Sequence, residues 1–342
     1  MSVEPRCIAC GAPRLDVLES AATCRACGRA FEVRGGIAIL LDGRLNGEQS
    51  EQVEKWEVRH EGSEVDWDDR FDPSVTNLLT LRNRLFLDRL SLGPEEAVIE
   101  VGCSTGKNLR YLAWRTGIAG YGVDIALSPL VNAVEKSQAR QRFFVADAER
   151  LPFEDGSFAG LVALDVLEHL SNAQGALCEW ARVVRAGGLV ALSVPVHEVF
   201  PTFAWWRRRL FPRHAAAVDA SLGHQVSRFP RPHDVKSWMA RVGLRPVFVE
   251  FRAALFEPLW DFVLLPAAVG LYTRLRSQPA RAAPNGAGSG GESTGPDPVP
   301  GGRRRRLFER LAVRPGRVFG LPDRLLEALG RGSQIYVLAR KG

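Results

Sequence analysis

The chain has 342 residues, of which 46% are hydrophobic and 25% are charged. These values are typical of a folded globular protein and exclude a disordered or fibrous chain. The net charge is +6, and the segment between Arg281 and Arg317, with eight arginines and three acids, accounts for +5 of it. The rest of the chain is therefore almost neutral. A broad nucleic-acid-binding surface is not indicated.

Four of the six cysteines lie near the N-terminus as two Cys-x-x-Cys pairs, Cys7 with Cys10 and Cys24 with Cys27. Two such knuckles supply four thiolates to one tetrahedral Zn²⁺, and an all-cysteine set predicts a structural metal rather than a catalytic one. The alternatives are unliganded thiols or two disulfides. Residues 5–42 also resemble the small zinc-ribbon activator subunit of tRNA and rRNA methyltransferases, so residues 1–45 are assigned to a zinc ribbon.

A helical lead-in is predicted over residues 46–92. A short helix is expected around Ser50–His60, within a polar and acid-rich stretch. Leucines recur at helical spacing between Asn77 and Leu92, which predicts a second helix. Gly93 and the proline after it end that helix.

The stretch Ala97–Lys107 predicts a buried strand, a tight turn and the start of a helix. An apolar run is followed by Gly102 and Gly106, and then by apolar residues at helical spacing. This unit places a nucleotide-like ligand at the carboxyl end of a strand. A pyrophosphate-binding turn requires glycine where this chain has Ser104 and Lys107, so we expect a nucleoside without a diphosphate and favour S-adenosylmethionine.

Further acids follow the next predicted strands. Asp124 ends a short strand 22 residues after Gly102, where a carboxylate accepts hydrogen bonds from both ribose hydroxyls. Asp147 and Asp165 follow the third and fourth strands. Each acid alone is more typical of a helix cap or a solvated strand end, but their shared position at successive strand ends favours a binding site. Strands that alternate with helices at this interval predict a parallel sheet with helices on both faces.

Five segments, in this order, resemble the class I S-adenosylmethionine-dependent methyltransferases, and most closely their small-molecule branch known as type 11. They are Glu100–Gly106, Gly122–Asp124, Ala146–Phe153, Asp165–His169 and Arg185–Leu189. The resemblance covers residues 90–250 and the last strand, and it departs from many members at Ser104. It implies an α/β fold: a doubly wound, mostly parallel, seven-stranded Rossmann-like sheet built from residues 93–254 and 333–342, with the small zinc ribbon at its N-terminal side.

The same resemblance implies a set of cofactor-binding residues. Glu100 lies near the methionine part, and Asp124 takes the ribose hydroxyls. Asp147, with the amide of Ala148, reaches the adenine amino group, and Asp165 closes the site. The implied set is Glu100, Gly102, Cys103, Gly106, Asp124, Ile125, Asp147, Ala148 and Asp165.

Candidate residues on the acceptor side follow the fifth strand. The segment Gly223–Gly243 resembles the corresponding family segment, in which His224 and Arg228 face the acceptor. His224 is the first candidate for a general base, because histidine exchanges protons near neutral pH. His169 and His197 are further candidates. A loop residue in a salt bridge or a cap is an equally weighted alternative for His224 and Arg228.

The C-terminal part of the chain predicts a short helix over Pro322–Leu329 and a final strand over Gln334–Arg340. That strand is expected to pair antiparallel with the sixth strand, Arg245–Phe251, as the resemblance implies. The two strands are separated by an insertion, residues 255–332, that is far longer than a hairpin connection.

The insertion contains three kinds of sequence. Leu259–Tyr272 is apolar but shorter than the roughly 20 residues of a bilayer span, and residues 277–302 predict a disordered linker. The basic amphipathic stretch begins with four arginines. Together the apolar and basic blocks, 255–275 and 303–330, predict attachment to a membrane surface. The alternatives are a cap over the cleft, a dimer contact, a solubilised linker and, with less support, an RNA contact.

Three classes of function remain open at this point. The first is an S-adenosylmethionine-dependent methyltransferase that acts on a small-molecule or lipid-linked acceptor. The second is an rRNA or tRNA methyltransferase, and the third is a scaffold that binds S-adenosylmethionine without catalysis. No apolar leader sequence is visible and the cysteine usage fits a reducing compartment, so we expect a cytoplasmic protein that attaches peripherally to the inner face of the membrane.

Overall fold

The computed structural model describes residues 3–43, 45, 47–61, 78–137, 140–197, 200–222, 225–252 and 321–342. His224 and the predicted segments 255–275, 277–302 and 303–320 lie outside the described residues.

The strands form one mixed sheet in the described part of the chain, in the order β1-β2-β3-β4-β7-β6-β5-β8-β9-β11-β10. They are β1 Asp16–Val17, β2 Ala21–Thr23, β3 Ala30–Arg34, β4 Ile37–Ile39, β5 Ala97–Val101, β6 Ala119–Asp124, β7 Gln141–Val145, β8 Phe158–Leu164, β9 Val184–Pro195, β10 Leu244–Arg252 and β11 Gln334–Lys341. The pairs β7-β6-β5-β8-β9 are parallel, whereas β11 pairs antiparallel with both β9 and β10. The seven strands β5 to β11 therefore confirm the predicted doubly wound sheet.

Helices connect these strands. They are α1 Gly47–Glu61, α2 Leu78–Leu87, α3 Lys107–Thr116, α4 Leu127–Glu135, α5 Ala173–Val183, α6 Phe203–Leu210, α7 Pro212–Leu222, α8 Pro232–Arg241 and α9 Leu321–Ala328, with 3₁₀ turns at Leu167–His169 and Val226–Arg228. The helices predicted around Ser50–His60 and Pro322–Leu329 are confirmed. The second lead-in helix ends at Leu87 rather than at Leu92, because the amide of Leu90 bonds to the carbonyl of Leu87 and tightens the chain into a turn before β5.

Side chains alternate between the two faces of the sheet and make two apolar layers. Ile99 of β5 packs with Trp180 of α5 and Met239 of α8 on one face. Val98 packs with Leu109 of α3 and Leu130 of α4 on the other. Covering both faces with helices leaves the carboxyl edge of the parallel strands as the open end of the domain, where such sheets bind ligands. No helix among the described residues has the length and apolar character needed to cross a bilayer.

The N-terminal strands join this sheet instead of forming a separate body in front of it. Strand β4 pairs parallel with β7, with Ala38 opposite Phe144 and Ile39 opposite Val145. The amide of Leu40 continues the ladder with a 2.8 Å bond to the carbonyl of Val145. The zinc-ribbon prediction therefore missed that the ribbon covers the edge of the main sheet, which is a common way to protect an edge strand.

Candidate cofactor cleft and zinc site

The four N-terminal cysteines converge on one point. Their sulfur atoms all lie within 4.8 Å of one another, with Cys7 Sγ 3.8 Å from Cys27 Sγ and Cys10 Sγ 3.7 Å from Cys24 Sγ. Four thiolates at the usual Zn–S distance of about 2.3 Å form a tetrahedron whose edges are about 3.8 Å. The backbone amide of Cys27 lowers the pKa of Cys24 to about 7, whereas burial raises the pKa of Cys7. Zinc binding to such a set releases the remaining thiol protons. The set fits a structural Zn²⁺, as predicted.

Arg150 joins the zinc ribbon to the loop that follows β7. Its guanidinium donates to the carbonyl of Ile8 at 2.7 Å, beside the first zinc knuckle, and forms an ion pair with Asp42. The amide of Arg6 bonds to the carbonyl of Pro152 at 2.9 Å. The loop carrying Asp147 therefore has the ribbon as one of its supports.

The glycine turn after β5 is shaped by close contacts that exclude a side chain. Gly102 and Gly106 adopt positive φ angles of 66° and 70°, which favour glycine. A Cβ atom at Gly102 would lie 2.4 Å from Val166 Cγ2, and one at Gly106 would lie 2.9 Å from Phe143 Cε1. The backbone of this turn consequently packs directly against the side chains of Val166 and Phe143.

Cys103, a predicted cofactor residue, lies in the same turn with its side chain inside the protein. It is 3% exposed, and its sulfur lies so close to β6 that a Cβ atom at Gly122 would be 2.7 Å from it. Burial raises the pKa of the Cys103 thiol well above its ordinary value, so this thiol is not a nucleophile. Only the backbone of Cys103 is placed to contact a ligand in the turn.

Glu100 is the penultimate residue of β5, and it is 3% exposed. Its Oε1 accepts a 2.7 Å hydrogen bond from Asn108 Nδ2 on α3, whereas its buried Oε2 has no hydrogen-bond partner among the described residues. Burial raises the pKa of Glu100 to about 7. A buried carboxylate oxygen of this kind is suited to a cationic group, such as the amino group of S-adenosylmethionine.

Asp124, at the end of β6, organises the turn opposite it. Its Oδ2 accepts the amide of Ser104 at 2.8 Å, and its Oδ1 accepts the amide of Ala126 at 3.1 Å. Ser104 itself has a positive φ of 47°, so this hydrogen bond stabilises an uncommon backbone conformation. Asp124 and the next residue, Ile125, are half-buried and border the cleft where the ribose is predicted.

Asp147 follows β7 and is engaged on both oxygens. Oδ1 accepts the amide of Glu149 at 2.8 Å, and Oδ2 accepts Gln49 Nε2 at 2.7 Å. Burial raises the pKa of Asp147. The adjacent Ala148 is held by its carbonyl, which accepts Trp180 Nε1 at 3.0 Å. One oxygen of Asp147, the residue predicted to reach the adenine amino group, thus already accepts a hydrogen bond from a side chain of α1.

Asp165, after β8, is held by the neighbouring strands. It has a positive φ of 59°, and its Oδ1 accepts Ser193 Oγ of β9 at 2.9 Å together with Gln334 Nε2 of β11. Such a strained residue persists where the surrounding structure holds it, which is typical of functional sites.

Helix α1 lies against this cleft and supplies residues that the sequence patterns did not single out. Besides Gln49 on Asp147, Glu57 accepts the amides of Leu127 and Ser128 at 2.5 and 3.0 Å. Trp56 contacts the ring of His169 edge-on, with 5.7 Å between ring centroids. Residues 49, 56 and 57 follow the i, i+7, i+8 spacing of one helix face, and this spacing was the one available signal for them.

His169 lies in the 3₁₀ turn that follows Asp165. Its side chain is 13% exposed, and its Nε2 is 3.8 Å from Oε1 of Glu168, which is fully buried. Burial, followed by the charge of Asp165, raises the pKa of Glu168 well above its ordinary value. A partly exposed histidine beside a buried acid at the edge of the cleft is suited to hold or move a proton.

The other two described acceptor candidates lie beyond β9. His197 is exposed, and its amide bonds to the carbonyl of Pro230 at 3.0 Å. Arg228 is half-buried in its 3₁₀ turn. The hydrogen bond between His197 and Pro230 joins the segment after β9 to the segment that contains Arg228. Both segments therefore lie beyond the carboxyl end of β9. His224 lies outside the described residues, and its role stays a prediction.

Comparisons with known proteins agree with this geometry. Residues 99–192 match the family model of a methyltransferase domain, a range that includes Glu100, Asp124, Asp147, Asp165 and His169. A geranyl diphosphate C-methyltransferase from Streptomyces coelicolor, solved with Mg²⁺, geranyl-S-thiolodiphosphate and S-adenosyl-L-homocysteine, aligns with a TM-score of 0.53. Its identity is 13%, over 87% of this chain and 99% of that one. This likeness supports the fold.

Two curated relatives are similar in sequence. A demethylmenaquinone methyltransferase from Tropheryma whipplei (strain Twist) is 34% identical over 134 residues, which are 36% of this chain and 54% of that protein. A malonyl-acyl-carrier-protein O-methyltransferase from Pseudescherichia vulneris is 29% identical over 178 residues, which are 50% of this chain and 65% of that protein. The chain spans about half the length of several curated relatives that it matches. The predicted family resemblance is confirmed.

Proposed function

We propose that this chain, which carries a class I S-adenosylmethionine-dependent methyltransferase domain, transfers a methyl group to a small-molecule or lipid-linked acceptor. The observation that carries the proposal is the row of acids along the carboxyl edge of the sheet, within the segment that matches the methyltransferase model. Glu100 is the most informative of these acids, because its buried Oε2 has no hydrogen-bond partner in the part of the chain that the structure describes.

The positions of the acids support a proposed binding role for each of them. Glu100 Oε2 binds the ammonium group of S-adenosylmethionine, because a cation offsets the cost of ionising a buried carboxyl group. Asp124 accepts the ribose hydroxyls, and the glycine turn leaves room for the nucleoside. Asp147 accepts the adenine amino group after Gln49 has moved from its oxygen. When bound, S-adenosylmethionine supplies an electrophilic methyl group on a sulfonium.

The remaining task of the chain is to orient the acceptor and remove its proton. Transfer of this kind is an in-line displacement, so positioning provides most of the rate. Among the described residues, His169 is the best-placed base, because it lies at the cleft edge beside Trp56 and Glu168. His224, His197 and Arg228 stay candidates for the acceptor side. The surrounding carboxyl groups favour binding of a cationic methyl donor.

The acceptor class is inferred from the relatives. Their names identify methyltransferases that act on demethylmenaquinone and on malonyl-acyl-carrier protein. These acceptors are small or lipid-linked, and the near-neutral body of this chain favours the same class over RNA. We also propose attachment to the membrane surface through residues 255–275 and 303–330, on the basis of their apolar and basic sequences.

Two measurements test the proposal. The first is calorimetry with S-adenosylmethionine, in which absence of binding would refute the enzymatic function. The second is transfer of a radiolabelled methyl group to fractionated cell extract, with His169→Ala, His224→Ala and the wild-type chain in parallel. Label in small molecules or lipids supports the proposal, whereas label in RNA supports the RNA-methyltransferase alternative. Transfer that is unchanged in His169→Ala would exclude this residue as the base.

A further inference from the structure

The α6–α7 hairpin, residues 200–222, follows the carboxyl end of β9. Strand β9 runs parallel to β8 and β5, so the hairpin begins at the same edge of the sheet as Glu100 and Asp165. Thr202 caps α6 by accepting the amide of Trp205 at 3.3 Å. None of the residues of α6 is buried, which is unusual for a helix with this apolar content.

The exposed surface of the hairpin is rich in aromatic and aliphatic side chains. Phe200 is 54% exposed, Trp206 41%, Leu210 60% and Phe211 62%. Phe200, Trp205 and Trp206 contact one another, with 4.8 Å between the two tryptophan centroids and 5.0 Å between Phe200 and Trp205. Soluble proteins rarely leave such a contiguous group in water unless it is an interaction surface.

The exposed charge on the hairpin has one sign, because its one acid, Asp219, is buried. Residues 200–218 contain four arginines and no acid. Arg207 and Arg208 contact the buried Asp219 of α7 at 3.0 and 3.1 Å, which ties the two helices together. Arg209 and Arg213 are exposed, and Arg209 lies 5.7 Å from the centre of the Trp205 ring. The outward surface of the hairpin is therefore both apolar and cationic.

We propose that the α6–α7 hairpin docks this protein on an anionic phospholipid surface. Tryptophan and phenylalanine bury their rings at the boundary between headgroups and acyl chains, and arginine binds the anionic headgroups beside them. A helix of eight residues enters this boundary without spanning the bilayer.

This inference deepens the proposed function, because docking at the hairpin brings the carboxyl edge of the sheet towards a lipid-linked acceptor. The residue that follows the predicted basic segment, 303–330, contacts the start of this hairpin. Arg331, just after α9, donates to the carbonyl of Phe200 at 3.0 Å. Leu325 and Leu329, at the end of this segment, are 65% and 67% exposed.

The test is co-sedimentation of the full chain with vesicles of phosphatidylcholine and phosphatidylglycerol, and with vesicles of phosphatidylcholine alone. We expect the wild-type chain to bind the anionic vesicles and to release them as the salt concentration rises. Trp206→Ala combined with Phe211→Ala is expected to weaken binding by about tenfold or more, because two apolar anchors are lost. Arg209→Gln combined with Arg213→Gln is expected to weaken it by about fivefold for each charge.

Matched controls lie elsewhere on the surface. Leu18→Ala with Trp114→Ala removes two apolar side chains that are 68% and 55% exposed, and Arg241→Gln with Arg245→Gln removes two exposed charges. Both controls are expected to bind vesicles as the wild type does. Thermal unfolding and calorimetry with S-adenosylmethionine, performed on every variant, separate the docking surface from the proposed function, because neither readout is expected to change.

Three results would overturn the proposal. The first is that the wild-type chain fails to bind anionic vesicles. The second is that the hairpin variants bind these vesicles as tightly as the wild type does. The latter result would assign any attachment to another segment, such as residues 255–275. The third is sedimentation that shows the wild-type chain as an oligomer and the Trp206→Ala, Phe211→Ala variant as a monomer, which would make the hairpin a contact between copies of this chain.

Discussion

Glu100 connects the stability of this protein to its predicted ligand, and the substitution Glu100→Gln separates the two. Glutamine keeps the shape of the side chain and accepts the hydrogen bond from Asn108 through its remaining oxygen. It removes the buried group that must ionise. We therefore expect this variant to be more stable than the wild type at alkaline pH and to bind S-adenosylmethionine less tightly.

The magnitude follows from the pKa of Glu100, which burial raises from an ordinary value of 4.5 to about 7. A carboxyl group whose pKa is raised by folding contributes its full stability below the unfolded pKa and loses it as the pH rises through the folded pKa. Each pKa unit corresponds to about 1.4 kcal/mol, so the wild-type chain loses about 3 kcal/mol through this group as the pH rises from below 4.5 to above 7. Glutamine does not titrate, so the variant loses no stability through this position over the same pH range.

The assay is urea unfolding of both proteins near pH 5 and near pH 8. The quantity to compare is the free energy of unfolding of the variant minus that of the wild type. We expect this difference to be about 2–3 kcal/mol larger at the higher pH. It is smaller than the full loss because Glu100 is already partly ionised in the unfolded chain at the lower pH. This double difference cancels the other titrating groups. An equal difference at both pH values would refute the assignment of an ionising, buried Glu100.

Ligand affinity provides the second half of this prediction. Loss of a hydrogen bond to a charged group of the ligand is expected to weaken S-adenosylmethionine binding by roughly ten- to a hundredfold. In the wild type, binding is expected to weaken below pH 7, because the proton on Glu100 must then leave before the ammonium group binds. Affinity that is independent of both pH and substitution would show that the ammonium group is bound elsewhere.

Three further predictions concern the cleft and the ribbon. Asp124→Ala is expected to weaken binding of S-adenosylhomocysteine by about a hundredfold in calorimetry, since two ribose hydrogen bonds are lost. Asp124→Asn keeps one acceptor oxygen, so its loss of affinity is expected to be smaller. Gln49→Ala is expected to strengthen S-adenosylmethionine binding severalfold, because it frees Asp147 Oδ2 from a competing 2.7 Å bond. Cys24→Ser, or chelation, is expected to remove Zn²⁺ and unfold the ribbon, because structural zinc supplies about 10–16 kcal/mol of apparent binding free energy in zinc-finger peptides. Hydrogen exchange at the amide of Leu40, which bonds to β7, measures this last effect.

Each of these predictions has an outcome that contradicts it. Unchanged affinity in Asp124→Ala would move the ribose away from β6. Weaker binding in Gln49→Ala would mean that Gln49 contacts the nucleoside itself rather than competing with it. Metal analysis that finds no zinc in the purified wild-type chain would remove the metal from the ribbon, and Cys178→Ser, at an exposed cysteine outside the cluster, is the matched control.

Much of the site was predictable because its chemistry is local in the sequence. The two Cys-x-x-Cys pairs define a metal site by spacing alone, and the structure brings their sulfur atoms within 4.8 Å of one another. The acids at or just after the carboxyl ends of β5, β6, β7 and β8 share one edge because parallel strands all end on the same side of a sheet. The roles of individual acids at this edge, and of the histidines near it, stay predictions.

Other features depend on contacts between distant parts of the chain. Gln49 meets Asp147 across 98 residues, and Gln334 meets Asp165 across 169. No local pattern encodes either pair, because helix packing and strand order decide which side chains become neighbours. The pairing of β4 with β7 is of the same kind, since the ribbon sequence does not specify which strand edge it covers.

The sequence by itself determined the four-cysteine cluster, the glycine turn, the alternation of strands and helices and the family to which the central segment is similar. These properties depend on residue type and short spacing. Only the tertiary structure decided that α1 contacts Asp147 through Gln49, that the ribbon extends the main sheet, and that aromatic and cationic side chains of the α6–α7 hairpin remain exposed. Exposure is a property of the packed chain, since the same Trp206 and Phe211 would be equally compatible with a buried helix until their neighbours are known.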